Sequence, residues 1–291
     1  MKELMIKKDL IESTLPSNFL FSHHELIIPK NIQYQEPIKI TMEIDQMDDF
    51  KITVSESTSI KIILEIQNVQ LTEHVYNISL IAKANSQVKY LLVSEIQSNK
   101  AVINHQFIAH KDSKLELIAG LVSNVLDAKM HIDLIGEGAD VKMRAVAVSS
   151  DDNIQNIDVY MTHKAPHTFG DMTNIGIANK RGKIILNGVE KIEKGMKQAS
   201  AFQTLKGIIT SDLASVEVNP ILLIDEYDVK AGHGATIGKI EEDVLYYLMS
   251  RGLNKKESEK LIINGFLKPV IDEIDDEPLR ERFVSLVNSR I

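Results

Sequence analysis

The stretch VYNISLIAKANSQVKYLLVSE, residues 75–95, decides the fold class. In Val75–Ala82 and again in Val88–Glu95, apolar and polar residues alternate with a period near two. That period places successive side chains on opposite faces of an extended strand. The intervening residues, KANSQ, are short or polar, as is typical of a tight connection. The stretch therefore predicts two β-strands joined by a turn.

Segments of the same kind recur from about Glu36 onward. They are rich in Ile and Val, and polar connections separate them roughly every 10–15 residues, which is typical of all-β folds. Almost no interval between them has a 3.6-residue period, which argues against a βαβ layout. A sandwich, a barrel and a β-solenoid all fit this spacing, and no exact short repeat singles out a regular solenoid. The further predicted strands are Ile38–Glu43, Lys51–Ser55, Ser59–Glu65, Lys114–Ala119, Lys129–Leu134 and Asp140–Val148.

The pattern changes after Gly238, where apolar residues begin to recur at helical spacing. The first predicted helix starts with three acidic residues, which suit the positive end of a helix dipole, and stops near Gly252. A second helix is predicted from Lys256 to about Leu267, with a break or a new first turn at Pro269. A last helix is predicted over Pro278–Ser289, because its apolar residues share one face.

These patterns divide the chain into three parts. Residues 1–30 are predicted to be partly helical or loop, with a short helix possible at Lys2–Thr14. Residues 31–238 form the predicted β-body, and residues 239–291 a small C-terminal helical domain.

Composition excludes several classes of function. The 291 residues carry a net charge of −8 and no lysine- or arginine-rich run, so no basic face for nucleic acid is expected. The chain has no cysteine, which rules out disulfides and thiolate metal ligands within it. Apolar runs are too short to cross a bilayer, and the N-terminus lacks the pattern of a signal peptide. We therefore expect a cytoplasmic protein that does not bind a membrane.

Three glycines and a histidine lie close together in Asp228–Ile240, which reads DVKAGHGATIGKI. A Walker A loop aligned on Gly238 would need glycine where His233 stands and a hydroxyl where Ile240 stands. A Rossmann loop fails as well, because the three glycines have one residue too many between the second and third. We therefore expect this chain to bind no nucleotide.

Histidines are the remaining candidates for metal chemistry. His233 stands between Gly232 and Gly234, which leave the imidazole little steric cover, so it is a candidate metal ligand. The alternative is a histidine in a tight turn between the two domains. His163 and His167 form H-x-x-x-H, but Pro166 makes a shared helical face improbable, which favours solvent-facing or turn histidines.

An ordered set of short motifs in Pro220–Ile263 resembles the C-terminal signature of the SufB/SufD family. Similarity continues upstream in Val159–His163 and Asn187-Gly188, so that it covers residues 156–270. The matching elements in the signature are Pro220, Leu222, Ile224, Asp228-Val229-Lys230, His233-Gly234-Ala235-Thr236, Gly238, Tyr246-Tyr247-Leu248 and Ser250-Arg251-Gly252; upstream they also include His167, Ala199 and Gln203.

The resemblance implies a right-handed parallel β-helix followed by a helical domain that holds the ATPase SufC, an ABC-type ATPase. Family members pair through the β-helix, and a nascent iron–sulfur cluster is thought to form near the paired interface. By resemblance, His233 is the candidate contact for a transient cluster or for iron. Tyr246, Tyr247, Arg251 and Gly252 are the candidate ATPase-docking residues.

Two features distinguish the chain from the SufB type. The stretch HGAT resembles SufD more than SufB, which has glutamate where this chain has Gly234. SufB-type chains carry a cysteine near the position of Thr204, and this chain has none. The resemblance thus leaves two possibilities: a SufD-like subunit with a cysteine-bearing SufB-type partner, or a minimal-system homologue that forms a homodimer.

The sequence therefore predicts a scaffold without catalytic turnover, acting with the ATPase in iron–sulfur cluster assembly. One alternative is a structural adaptor of the ATPase that binds no iron. The other is a carbohydrate-active β-helix enzyme, which is disfavoured because the chain has no tryptophan and only 5% aromatic residues.

Overall fold

Two parallel β-sheets face each other and form a solenoid of about seven turns. The computed structural model describes residues 1–8, 10–68 and 70–290. From β5 onward, consecutive strands alternate between a ten-stranded sheet A and a nine-stranded sheet B. The strands are β1 (Lys2–Lys7), β2 (Leu10–Ser13), β3 (Leu20–Ser22), β4 (Glu25–Ile28), β5 (Ile38–Glu43), β6 (Gln46–Val54), β7 (Ser59–Asn68), β8 (Glu73–Ala82), β9 (Gln87–Ile96), β10 (Lys100–Ala109), β11 (Lys114–Leu121), β12 (Val125–Leu134), β13 (Asp140–Ser149), β14 (Ile154–His163), β15 (Phe169–Ala178), β16 (Lys183–Ile192), β17 (Ser200–Ile209), β18 (Ser215–Ile224) and β19 (Lys230–Lys239).

The period-two pattern of the sequence produces the core between the sheets. In β8, for example, Tyr76, Ile78 and Leu80 point inward and are buried, while the residues between them are partly exposed. The same inward positions of β10 pair with them in register. Each coil therefore covers the inward side chains of the one before it, which gives a continuous apolar interior.

Single residues in the left-handed backbone region turn the chain from sheet B to sheet A. Asn85, Asp112 and His167 occupy such turns, with φ of 58°, 52° and 58°. Asn and Asp are among the few side chains that tolerate this region, since they can bond locally to the backbone. The turns stack as well, because the backbone N–H of Asn85 donates to the carbonyl of Lys111 in the next coil at 2.9 Å.

Three helices follow the last strand: α1 (Glu242–Ser250), α2 (Lys255–Ile271) and α3 (Glu277–Arg290). Leu267 and Val270 of α2 and Phe283 of α3 form one apolar cluster with outward-facing residues of sheet A, such as Leu91 and Ile118. The C-terminal halves of the middle strands of sheet A are thus buried on both faces. This explains the apolar run Leu91–Val93 within a strand that otherwise alternates, as expected of a sheet covered on both sides.

Ion pairs hold the α2–α3 connection and α3 to the same face. Lys39 Nζ lies 3.0 Å from Asp276 Oδ2, and Lys61 Nζ lies 3.0 Å from Glu273 Oε2. Arg282 of α3 contacts the buried carboxylate of Glu65. The helical part therefore shares both a core and a charge network with the β-body.

The structure confirms the mainly β class, the solenoid body and the C-terminal helices. The possible helix at Lys2–Thr14 is wrong: β1 and β2 pair antiparallel, and β1 joins sheet A because Leu4 and Ile6 alternate inward. Asp9, within that range, lies outside the described residues. The break at Pro269 is also wrong, since α2 continues through it. The division at residues 30 and 238 stays a prediction, and Ile291, at the end of the predicted helical domain, lies outside the described residues.

Substitution of Gly120 tests how closely the helices pack on sheet A. A Cβ added there would lie 2.8 Å from a Val270 methyl and 2.9 Å from the Phe283 ring, whereas a Cβ at Gly265 would meet nothing within 4 Å. We expect Gly120→Ala to lower the free energy of unfolding by about 1–3 kcal/mol, because it overpacks this contact. Gly265→Ala should raise it by up to about 1 kcal/mol, since alanine favours the helix. Urea denaturation measures both, and equal effects of the two variants would contradict the packing.

Candidate functional site

The uncovered end of the solenoid is formed by β18 and β19, the terminal strands of the two sheets. In β12, deep in the solenoid, the inward side chains from Leu126 to Leu134 are buried. The equivalent inward side chain of Ile237 in β19 is 49% exposed, and that of Ile224 in β18 is exposed as well. Exposed inward-facing aliphatic side chains on a terminal coil make this end a candidate interaction surface.

The edge strand β19 carries mostly small side chains near its middle. Ala231, Gly232, Gly234 and Ala235 surround His233, so that no large side chain stands beside it. As the terminal strand of sheet A, β19 also has one edge that pairs with no described strand. An edge with free N–H and C=O groups and small side chains can accept a further strand.

His233 lies on the inward face of this strand. It pairs in register with Gln203 of β17, whose side chain is buried between the sheets, and residues in register on neighbouring strands share a face. The imidazole is exposed and makes no hydrogen bond or ion pair with a described residue. His233 is thus the accessible imidazole at the uncovered end.

The predicted docking residues lie on and just after α1, the helix that follows β19. None of the residues of α1 is buried, and Tyr246 is 76% and Tyr247 56% exposed. The guanidinium of Arg251 lies over the ring of Tyr247, 5.3 Å from its centroid. Gly252 has φ of 101°, a conformation that ends the helix and that other residues adopt with strain.

The solenoid interior below the uncovered end contains a buried carboxyl one coil down and a buried imidazole two coils down. His163 Nε2 of β14 lies 3.9 Å from Glu190 Oε2 of β16, and both side chains are fully buried. Burial lowers the pKa of His163 to about 4. Burial, and to a smaller extent the charge of Asp171, raises the pKa of Glu190 to about 9.

The structure separates the two histidines of the H-x-x-x-H pattern. His167 occupies a left-handed turn and is half exposed, as the prediction of turn histidines expects. His163 is instead buried between the sheets, so the prediction of a solvent-facing or turn position is wrong for it. The period-two pattern of β14 places it inward, in phase with Val159 and Met161.

Sequence reasoning missed Glu190 as a functional candidate. Its signal is nevertheless present in β16, because Glu190 occupies an inward position in phase with Ile184, Leu186 and Ile192. A carboxyl at a position that otherwise carries aliphatic residues is rare, and it points to a special role. Gln203 is a similar case: it lies within the resemblance, but nothing in the sequence indicated that it is buried.

Two general features limit what the described residues can do. No group of three or more His, Cys, Asp and Glu residues among them could hold a metal ion. No helix in the described part of the chain is long and apolar enough to cross a membrane.

Comparison with known proteins identifies the family. The sequence profile of the SUF system FeS cluster assembly SufBD core domain matches residues 40–266, which is most of the solenoid together with α1 and much of α2. This chain belongs to the SufBD core family. The match begins at residue 40 and so includes much of the N-terminal half, which contains no recognisable SufB/SufD motif.

Individual SufBD relatives agree with this assignment. The iron–sulfur cluster assembly protein SufD of Bacillus subtilis is 32% identical over 91% of this chain and 63% of its own length. An iron–sulfur cluster assembly SufBD family protein of Staphylococcus epidermidis is 24% identical over 87% of this chain and 56% of its own length. One from Mycobacterium tuberculosis is 26% identical over 70% of this chain and 24% of its own length. The chain thus spans less than two thirds of the length of these relatives.

Proposed function

We propose that this SufBD chain is a non-catalytic scaffold subunit in iron–sulfur cluster assembly, acting in the cytoplasm with a SufC-type ABC ATPase. The uncovered end of the solenoid carries the proposal, because it combines exposed aliphatic residues, a free strand edge and the accessible His233. The roles printed in the names of its relatives support the same process. The family match also removes the reason to consider a carbohydrate-active enzyme.

In this proposal the uncovered end pairs with a second SufB/SufD-type chain or with a second copy of this one. Pairing covers Ile224 and Ile237 and satisfies the free edge of β19. It also places His233 at the interface, where a partner supplies further ligands. Iron–sulfur clusters are held chiefly by thiolates, and this chain has no cysteine. A cluster held at His233 is therefore transient, and its thiolates come from the partner when that partner is a cysteine-bearing SufB-type chain; a second copy of this chain supplies none.

The ATPase docks on α1 in this proposal. Tyrosine, methionine and arginine are enriched at interface cores, and Tyr246, Tyr247 and Met249 are all exposed on this helix. Ile237 of β19 and Val244 of α1 line the same apolar cavity of about 400 Å³. The proposed docking helix α1 and the proposed pairing strand β19 are therefore neighbours in the fold.

A second candidate function is an adaptor that binds the ATPase and no iron. The described residues favour it in one respect, because they contain no group of three or more metal-ligating side chains. The two candidate functions differ only in whether this chain binds iron, so a cluster assay separates them.

Pairing through the uncovered end is tested by Ile237→Asp. A carboxylate within an apolar interface is left unpaired and desolvated, so we expect the complex to dissociate to single chains. Light scattering after gel filtration measures the mass. Ile154→Asp is the matched control, since Ile154 is similarly exposed, at 47%, in β14, away from the uncovered end. An unchanged mass for Ile237→Asp would contradict this interface.

Docking on α1 is tested by Tyr246→Ala. If Tyr246 is an anchor, its loss weakens binding of the SufC-type ATPase by at least about 2 kcal/mol, or about 30-fold in Kd. Calorimetric titration measures the Kd. The control is Tyr160→Ala, which removes a tyrosine stacked on His131 on the outer face of sheet B. Deleting the helices is unsuitable as a test, because it would expose the outer core of sheet A.

The role of His233 is tested by His233→Ala in the assembled complex. We expect less cluster after anaerobic reconstitution, measured by bound iron, sulfide and visible absorbance. The melting temperature should fall by no more than about a degree or two, because the exposed side chain packs on little. An unchanged cluster yield would favour the adaptor, and a large loss of stability would assign His233 a structural role.

A further inference from the structure

The interior below the uncovered end contains buried polar atoms that have no partner. Both carboxyl oxygens of Glu190, the Nε2 atom of His163 and the Oε1 atom of Gln203 are buried and accept no hydrogen bond. Leaving such atoms unpaired is costly, and in native proteins they usually mark an ion, a water or a functional role. Here several of them belong to residues on neighbouring or facing strands of the last coils.

The imidazole of His163 forms a hydrogen bond through Nδ1, and its Nε2 atom has no hydrogen-bond partner. Its Nδ1 atom lies 2.8 Å from the hydroxyl oxygen of Thr168, and that hydroxyl donates its hydrogen to the carbonyl of Ala165 at 3.0 Å. With the Thr168 hydroxyl donating to Ala165, the same oxygen accepts from Nδ1–H, and in that tautomer Nε2 carries a lone pair and no proton. A second hydrogen bond that orients the ring in this way is typical of metal-binding histidines.

The gap between His163 and Glu190 fits a metal ion better than a hydrogen bond. Their Nε2 and Oε2 atoms are 3.9 Å apart, which is too far for a direct hydrogen bond. Metal–nitrogen and metal–oxygen bonds of about 2.0–2.2 Å span such a gap when they meet at an obtuse angle.

Two glycines leave room for donor atoms in these coils. A Cβ at Gly170 would lie 2.8 Å from His163 Nε2 and 2.4 Å from the sulfur of Met161. A Cβ at Gly188 would lie 2.6 Å from Gln203 Oε1. A side chain at either position would therefore displace a donor atom, and only glycine keeps the arrangement.

We propose that His163 and Glu190, with the amide oxygen of Gln203, bind one divalent transition-metal ion inside the solenoid. Imidazole, carboxylate and amide oxygen together suit a borderline ion such as ferrous iron or zinc. The site is separate from His233. It rests on the proposed function only in the choice of ferrous iron as the physiological ion.

The proposed site lies near the uncovered end. Gln203 is in register with His233 on the edge strand, and Glu190 is in register with Leu222 of β18. The β18–β19 coil therefore separates Glu190 and Gln203 from the exposed end, and His163 of β14 lies one coil deeper. The Nε2 atom of Gln203 donates to the carbonyl of Ile221 at 2.8 Å, so its Oε1 atom remains free for the ion.

The test is metal binding by the full chain after treatment with a chelator. Under anaerobic conditions, Fe²⁺ should bind at one ion per chain and raise the melting temperature by mass action. Co²⁺ serves as the spectroscopic probe, since its visible bands report a nitrogen and oxygen ligand set. Absence of binding by both ions overturns the proposal.

Variants locate the ion. Glu190→Gln and His163→Gln should each weaken Fe²⁺ binding by more than about 100-fold, beyond the 10–100-fold effect of outer-shell changes. His167→Gln and Glu193→Gln are the matched controls and should bind normally, because both side chains are substantially exposed. If His163→Gln fails to fold, Glu190→Gln decides, since it keeps the shape and removes a buried carboxyl. Unchanged binding by Glu190→Gln overturns the site.

His233→Ala separates this inference from the proposed function. The variant should keep the single Fe²⁺ even where it fails to assemble a cluster. If His233→Ala loses the ion while Glu190→Gln retains it, the ion belongs to His233 and the internal site is wrong. If the internal ion binds but no cluster forms in any complex, the internal site stands and the scaffold function fails.

Discussion

A coil of this solenoid buries its inward face only when another coil lies on top of it. This constraint governs the rest of the structure, because two parallel sheets joined coil by coil have no other source of a core. At one end, β1 with β2 and β3 with β4 form antiparallel hairpins at the margins of the two sheets. At the other end, the inward residues of β18 and β19 have no described neighbour above them. The features of the chain that bear on function gather there.

The two sheets differ because the helices cover only one of them. Sheet A packs on the interior and on α2 and α3, so its strands carry apolar residues at positions that would otherwise be polar. Lysines at the margin of that face pair with acids of the α2–α3 connection. The helical part is therefore anchored to the solenoid, and α1, which has no buried residue, is left as its exposed element. A rigid support with an accessible helix suits a docking role.

Much of this organisation follows from the sequence, and the exceptions have physical causes. Period-two segments predict the strands, but they cannot distinguish a solenoid from a sandwich, because both alternate in the same way. The repeat stays hidden since corner residues recur irregularly: 26 residues separate Asp112 from Gly138, whereas 31 separate His167 from Gln198. β1 was misassigned because short segments rich in lysine and leucine suit either helix or strand. Glu190 was missed because the predicted strands end at Val148, so its phase with the aliphatic residues of β16 carried no meaning until that strand was known.

The edge position of β19 has a consequence for the energetics of the chain. Each interior coil is held by neighbours on both sides, whereas the β18–β19 coil has a single described neighbour, so its local unfolding free energy is lower than that of the interior coils. Amide hydrogen exchange is therefore faster in β19, where His233 lies, than in the interior coils, and protection declines gradually toward that end. A partner that adds strands to β19 supplies the missing neighbour and makes that coil an interior one. Assembly and ordering of this edge are then one event, whose extent depends on protomer concentration.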